Sequence, residues 1–389
     1  MHDRNETLPR RAANATLAAL FLAGIALPCV GTFFALDTGG MKDENRKMAD
    51  PPSVTQGKLK EYPRRAEEWF NDHFGMRNSL VLAHSLFERK VFGVSSSSRV
   101  VVGQDGWLFY ADDRIIEMRR GLLPISEEDL RKWQTLIEER RDWLASQNIR
   151  YVFMFAPEKS SIYEEFLPGY LAPVRDETRL DQFLAWMRAH STVEVLDLRV
   201  PLRAAKSERR LYHLTDTHWN EEGAFVAYGQ IAAWLESKFP KVRPLKREDF
   251  EPSVLVTPGG DLAGMLALKS AMHEERLRLL PRTPSAVRAG AQTEVMKKRQ
   301  WVPGYSPAVF ERDNAEIPRA MIVHDSFFEM EKPFLSRHFG RSVFVSWFFI
   351  PEIIADEKPD VVIDEMVERV LSRPVQANAP PVAGFKPAP

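Results

Sequence analysis

From Ala12 to Leu36 the chain carries no charged residue, and Leu17 to Leu36 is almost wholly apolar. A run of about 20 apolar residues is what a bilayer-spanning helix needs. Beyond it the pattern becomes periodic. From Lys58 to about Phe92, Trp69, Phe70, Phe74, Leu80, Leu86 and Phe87 are interleaved with charges, which predicts one or two amphipathic helices. Arg99 to Tyr110 holds two β-rich runs joined by Gln104-Asp105-Gly106, and Asp-Gly accepts positive φ, so a hairpin is expected. Ser126, with Asp129 three residues on, opens a helix that carries Leu130, Trp133, Leu136, Ile137 and Leu144 along one side. A continuous apolar strand, Ile149 to Ala156, follows. The order repeats in a helix from Glu177 to His190 and a strand from Val193 to Leu198, which predicts a mainly parallel sheet covered on both faces.

Asn220 is placed to cap a helix from Glu221 to about Phe239, whose N-terminal partial positive charge faces the preceding loop. Between residues 241 and 318 the periodicity weakens, and a loop-rich insertion with short strands is expected. Strands then follow at Arg319–His324, Ser342–Ser346 and Asp360–Ile363, with a helix from about Glu329 to Phe339 and a last one ending near Arg373. Residues 37–57 are polar and hold Gly39, Gly40, Pro51 and Pro52, as a tether does. Residues 374–389 are rich in Pro and Ala and read as a disordered tail. The expected organisation is a cytoplasmic N-terminus (1–11), a transmembrane signal-anchor (12–36), a linker (37–57) and an α/β domain (58–373).

Charge decides the orientation of the span. Arg4, Arg10 and Arg11 precede it and Asp37 follows, so the positive-inside bias leaves the N-terminus in the cytoplasm and the bulk of the chain outside. A cleaved signal peptide is the rival reading, but its apolar run is usually ~7–15 residues and ends at a small-residue site. The formal net charge of -1 argues against a nucleic-acid binder. Cys29 is the only cysteine, so neither an intramolecular disulfide nor a cysteine-based zinc site is possible.

The chemistry gathers at two strand-to-helix junctions. Thr215-Asp216-Thr217-His218-Trp219-Asn220 puts a carboxylate two residues from an imidazole, a pairing that fixes the tautomer of the base and stabilises its imidazolium. Val323-His324-Asp325-Ser326-Phe327 supplies a serine on a turn after an apolar strand, where Oγ stands above the sheet edge and backbone N–H groups face an oxyanion. Each has a plainer reading, the first as a local hydrogen-bonded pair and the second as a helix cap. Together they suggest a Ser326, His218, Asp216 triad. Lys159, in the loop after the 149–156 strand, lies at the edge where open α/β sheets bind ligands; it and Trp219 are candidate substrate contacts. A metal reading of His213, Asp216 and His218 competes, but an extended segment points His213 away from the other two. No metal or cofactor is expected.

These stretches carry a resemblance. Leu211 to Ala224 with its D-T-H-W-N core, Val102-Gly-Gln-Asp-Gly-Trp-Leu-Phe109, His324-Asp-Ser-Phe327 and Lys358 to Arg369 are similar to the alginate O-acetyltransferase family, the AlgJ/AlgX-like branch of SGNH hydrolase-like proteins. The resemblance runs roughly from Leu59 to Leu371. It implies an SGNH hydrolase-like three-layer fold with the triad in permuted order, Asp216 and His218 before the Ser326 nucleophile. It further implies acetyl transfer onto an exported polysaccharide, and a membrane-bound O-acyltransferase (MBOAT) partner as acetyl source. With the anchor, that places a single-pass protein in a bacterial inner membrane with its catalytic domain in the periplasm. A carbohydrate acetylesterase with the same triad and a non-catalytic polysaccharide-binding subunit are the alternatives.

Overall fold

The computed structural model describes residues 7–34, 48–53, 59–313 and 316–375. Most of the expected linker and the tail from residue 376 lie outside the described residues. The described residues form two compact units, one drawn from Met1–Ser97 and Ala263–His273, the other from Ser98–Leu262 and Glu274–Pro389.

The first unit contains the helix Thr7–Phe34, whose 23-residue stretch Ala12–Phe34 has mean hydropathy 2.2 and is the one helix among the described residues long and apolar enough to span a membrane. It also holds the helices Tyr62–His73 and Arg77–Phe87, the two amphipathic helices expected after residue 58. Ser98 opens the sheet-bearing unit.

The second unit is built on a seven-stranded sheet. Its strands are β3 (Arg150–Ala156), β4 (Val195–Asp197), β7 (Arg288–Ala289), β8 (Ala308–Glu311), β9 (Arg319–His324), β10 (Arg341–Ser346) and β11 (Val361–Val367), in the order β4-β3-β11-β9-β10-β8-β7. From β4 to β10 all neighbours are parallel, while β8 and β7 close one edge antiparallel. Tyr151 to Ala156 are all buried although their side chains alternate between faces, so both faces are covered, as the apolar run predicts. The helix Glu127–Ala145 starts where Ser126 accepts the Asp129 N–H, and Glu221–Lys238 where Asn220 accepts those of Glu222 and Gly223. β1 (Val100–Val102) and β2 (Leu108–Tyr110) form the expected hairpin, with Asp105 and Gly106 at positive φ.

Three expectations are corrected. The 241–318 segment is not merely loop-rich: β5 (Phe250–Pro258) and β6 (His273–Pro281) are nine-residue strands that pair with each other, and β7 and β8 join the main sheet. β11 does not end at Ile363 but continues buried through Asp364 and Glu365 to Val367. Its acids are tolerated because Asp364 accepts from Arg140 and, at 2.7 Å, from the Tyr151 hydroxyl, while Glu365 accepts the Asp325 N–H. The helix expected from Glu329 breaks into the short turns Ser326–Met330, Lys332–Leu335 and Ser336–His338, with Pro333 unable to donate a helical hydrogen bond.

Candidate active site

The parallel strands bring their C-terminal ends to one edge of the sheet, and the serine turn leaves β9 there. Asp325 holds the turn from inside. Its Oδ1 accepts the Phe327 N–H at 2.9 Å and its Oδ2 accepts the Val367 N–H at 2.6 Å, while its own N–H donates to Glu365 Oε2 at 3.0 Å. The turn is thus pinned to the end of β11 by two bonds and closed on itself by the third. Burial pushes the Asp325 carboxyl up, against the hydrogen bonds it accepts. Ser326 itself is exposed, and among the described residues its backbone N–H has no acceptor.

The Asp216/His218 loop folds back on itself through the Tyr212 to Trp219 bridge and the Asn220 N–H to Leu211 carbonyl bond of 2.8 Å. His218 Nε2 lies 2.8 Å from Ser326 Oγ, and His218 Nδ1 lies 2.7 Å from Asp216 Oδ1. The three residues form one hydrogen-bonded line. Asp216 Oδ1 also accepts the His218 N–H at 3.1 Å; Oδ2 accepts the Asp261 N–H at 3.2 Å and faces Arg276 Nη2 at 3.3 Å. Burial alone would raise this carboxyl, but the bonds and charge of His218 outweigh it and hold Asp216 far below the usual carboxylate range. For His218 burial works downward, and the Asp216 bond and charge win, raising the imidazole above its ordinary value.

The supporting shell comes largely from the segment the sequence left unresolved. The buried Glu274 carboxylate accepts the N–H groups of Leu214 and Thr215 at 2.6 and 3.0 Å, together with the Thr215 hydroxyl. Burial opposes its ionisation, yet those bonds and the nearby His213 lower it to about 2. Gly260 packs so tightly on Asp216 that a Cβ there would lie 2.4 Å from the Asp216 Cβ, so only glycine fits. No local pattern announces Gly260, Asp261, Glu274 or Arg276; the signal is only a Gly-Gly-Asp turn and a charged strand.

His213 lies 3.4 Å from Glu274 Oε1 and does not join Asp216 and His218. Asp216, His218 and Asp261 are the one group among the described residues whose ligand atoms, within 4.8 Å of one another, could hold a cation. Asp261 Oδ1 is already taken by the Thr217 N–H at 2.7 Å.

Lys159 and Trp219, the candidate substrate contacts, are both interior. Lys159 is 2% exposed and its Nζ donates to the carbonyls of Leu108 at 2.7 Å and Leu214 at 3.2 Å, tying β2 to the Asp216 loop. Burial lowers its amine to about 8, opposed by the surrounding carboxylates. Trp219 is fully buried and donates from Nε1 to the Phe327 carbonyl at 3.0 Å, linking the two halves of the site. Neither side chain presents a surface to a substrate.

The family model described as "SGNH hydrolase-like domain, acetyltransferase AlgX" matches residues 100–347. The chain belongs to this family. It is similar to proteins named probable alginate O-acetylase AlgJ, at 29% identity over 188 residues in Pseudomonas syringae pv. tomato (48% of this chain, 45% of that protein) and 27% over 252 residues in Azotobacter vinelandii (63% and 60%). The chain thus spans about half the length of the curated relatives it matches. Among solved structures, a DHHW family protein from Eubacterium siraeum superposes with TM-score 0.53 at 15% identity, covering 72% of this chain and 93% of the other. The fold is SGNH hydrolase-like, mixed α/β with a mostly parallel central sheet.

Proposed function

We propose that the chain is a polysaccharide O-acetyltransferase that works through an acetyl-serine intermediate. The observation that carries the reading is the line Ser326 Oγ, His218 Nε2, His218 Nδ1, Asp216 Oδ1, with contacts of 2.8 and 2.7 Å, in a member of an acetyltransferase family. Ser326 Oγ attacks the carbonyl carbon of an acetyl ester, and its proton passes to His218 Nε2. The unpartnered Ser326 N–H would supply a donor to the oxyanion. Collapse of the tetrahedral intermediate expels the donor alkoxide, which takes the proton from His218 and leaves acetyl-Ser326. A sugar hydroxyl then attacks, gives its proton to His218, and departs acetylated as Ser326 recovers its own. Asp216 stays ionised throughout and stabilises the imidazolium.

The named relatives are alginate O-acetylases, which makes alginate or a similar exported polysaccharide the first acceptor class to test. The apolar helix Ala12–Phe34, with arginines before it, supports a single-pass inner-membrane anchor that leaves residues 98–373 in the periplasm as the transfer domain. An acetyl donor delivered across that membrane, as by an MBOAT protein, fits the arrangement. The decisive experiment is intact-mass analysis after incubation with an acetyl ester. One added acetyl group on the wild type, absent from Ser326→Ala, is expected; an adduct that persists in the variant, or none on the wild type, sinks the mechanism.

A further inference from the structure

We propose that Trp347 and Phe348 form a platform on which one pyranose ring of the acceptor stacks beside Ser326, a step that rests on the acetyl-transfer reading above. Both residues follow β10 at the edge of the sheet that carries the serine. β10 runs parallel to β9 with Ser346 opposite His324, and the Trp347 N–H donates to the His324 carbonyl at 2.7 Å, two residues before Ser326.

The backbone there is costly. Trp347 has φ of 70°, a left-handed conformation that crowds the Cβ of an L-residue and that glycine would adopt freely. Trp347 and Phe348 nonetheless stay 38% and 47% exposed, among the large apolar residues that face solvent. Among the described residues the Trp347 indole N–H donates to no other group. Strained backbone at an exposed aromatic is characteristic of ligand clamps.

The two aromatics line a cavity of about 200 Å³ together with Val323, Met366 and Val370, and His324, Asp325, Glu365 and Arg373 supply its polar groups. An apolar lining with exposed aromatics and a few hydrogen-bonding groups suits a sugar ring, whose C–H face stacks while its hydroxyls take the polar contacts. The space is smaller than a drug-sized pocket and suits a single ring. The bare acetyl group of a donor needs no aromatic wall. Asp325 lines the cavity and immediately precedes Ser326, and the platform requires a ring held there to reach the acetylated serine with one hydroxyl.

The test uses the full chain and the variants Trp347→Gly and Trp347→Phe, with an acetyl ester as donor and alginate, cello- and chito-oligosaccharides as acceptors. Trp347→Gly should still form acetyl-Ser326, and its thermal midpoint reports the balance between the relieved φ and the lost indole packing. Its acceptor KM should rise about tenfold, as expected on losing one stacking contact. Trp347→Phe should stay within about threefold of the wild type. A Trp347→Gly protein with unchanged acceptor KM overturns the platform, as does a wild type that forms acetyl-serine yet passes it to water alone; the latter leaves the acetyl-serine reading standing. Calorimetric titration of Ser326→Ala with the same oligosaccharides needs no chemistry and so separates the two claims. Binding that is lost on adding Trp347→Gly supports the platform even if acylation fails, and binding that is unaltered or absent in both proteins overturns it.

Discussion

At the scale of single residues, the behaviour of the site is set by how completely Asp216 is surrounded by donors. Two N–H groups, an imidazole and a guanidinium meet one carboxylate, so it stays ionised well below the usual range, and its charge lifts His218. Only neutral His218 can accept the Ser326 proton. Ester turnover should therefore rise with pH to a half-maximum above the ordinary imidazole value of about 6.5. Asp216→Asn removes the charge, so the midpoint should move down while the rate at the plateau falls about 10³–10⁴-fold. A pH–rate profile of acetyl-ester turnover checks both, and a variant with an unmoved midpoint would refute the electrostatic account. Stability runs the other way. His218 has a raised folded pKa, so its contribution is fully present below its unfolded value and is lost as pH rises through the folded one. Asp216 has a depressed one, so its contribution is present above the unfolded value of about 3.9 and is lost as pH falls. The pair is most stabilising in mild acid, where the base is charged and inactive.

At the scale of elements, the Asp216/His218 loop depends on β6, which contributes Glu274 and Arg276 from a segment with weak periodicity. Glu274→Gln keeps the volume but removes the charge that two backbone N–H groups and a hydroxyl share. A loss of about 1–3 kcal/mol is expected at neutral pH. Because the Glu274 carboxyl is lowered to about 2, its contribution is present above its unfolded value and fades as pH drops through that range. Urea unfolding at neutral pH and at about pH 3 should show the gap between wild type and variant narrowing; a constant gap would mean that the carboxylate is not what matters. The same shell explains what the sequence could not reveal. Asp216, His218 and Ser326 were legible because each sits beside a strand-to-helix junction with a local pattern. Glu274 and Gly260 reach the loop from 59 and 45 positions away through contacts with no period. Lys159 and Trp219, expected as substrate contacts, are buried, because whether a side chain faces substrate or interior is decided by packing and not by local pattern.

At the scale of the molecule, the sheet and the site share one strand. β11 lies between β3 and β9, and its alternating side chains do two jobs: Asp364 binds Arg140 and Tyr151, and Glu365 holds the Asp325 N–H of the serine turn. Consecutive acids in a strand looked like its end because an unpaired carboxylate cannot be buried, and only the distant Arg140 makes the continuation possible. Arg140 is 1% and Asp364 0% exposed, so removing one partner strands the other in the core. Arg140→Ala should cost about 3–5 kcal/mol, whereas Arg140→Met combined with Asp364→Leu should recover most of it, since an apolar pair of similar size avoids desolvating two charges. Chemical denaturation of the single and double variants measures this. Acylation of Ser326 adds a second readout. If β11 transmits its position to the serine turn through Glu365, Arg140→Ala should slow acylation even under conditions where the protein remains folded, and the double variant should restore both properties together. Restored stability with acylation still slow would separate the core pair from the site and confine the coupling to Glu365 and Asp325.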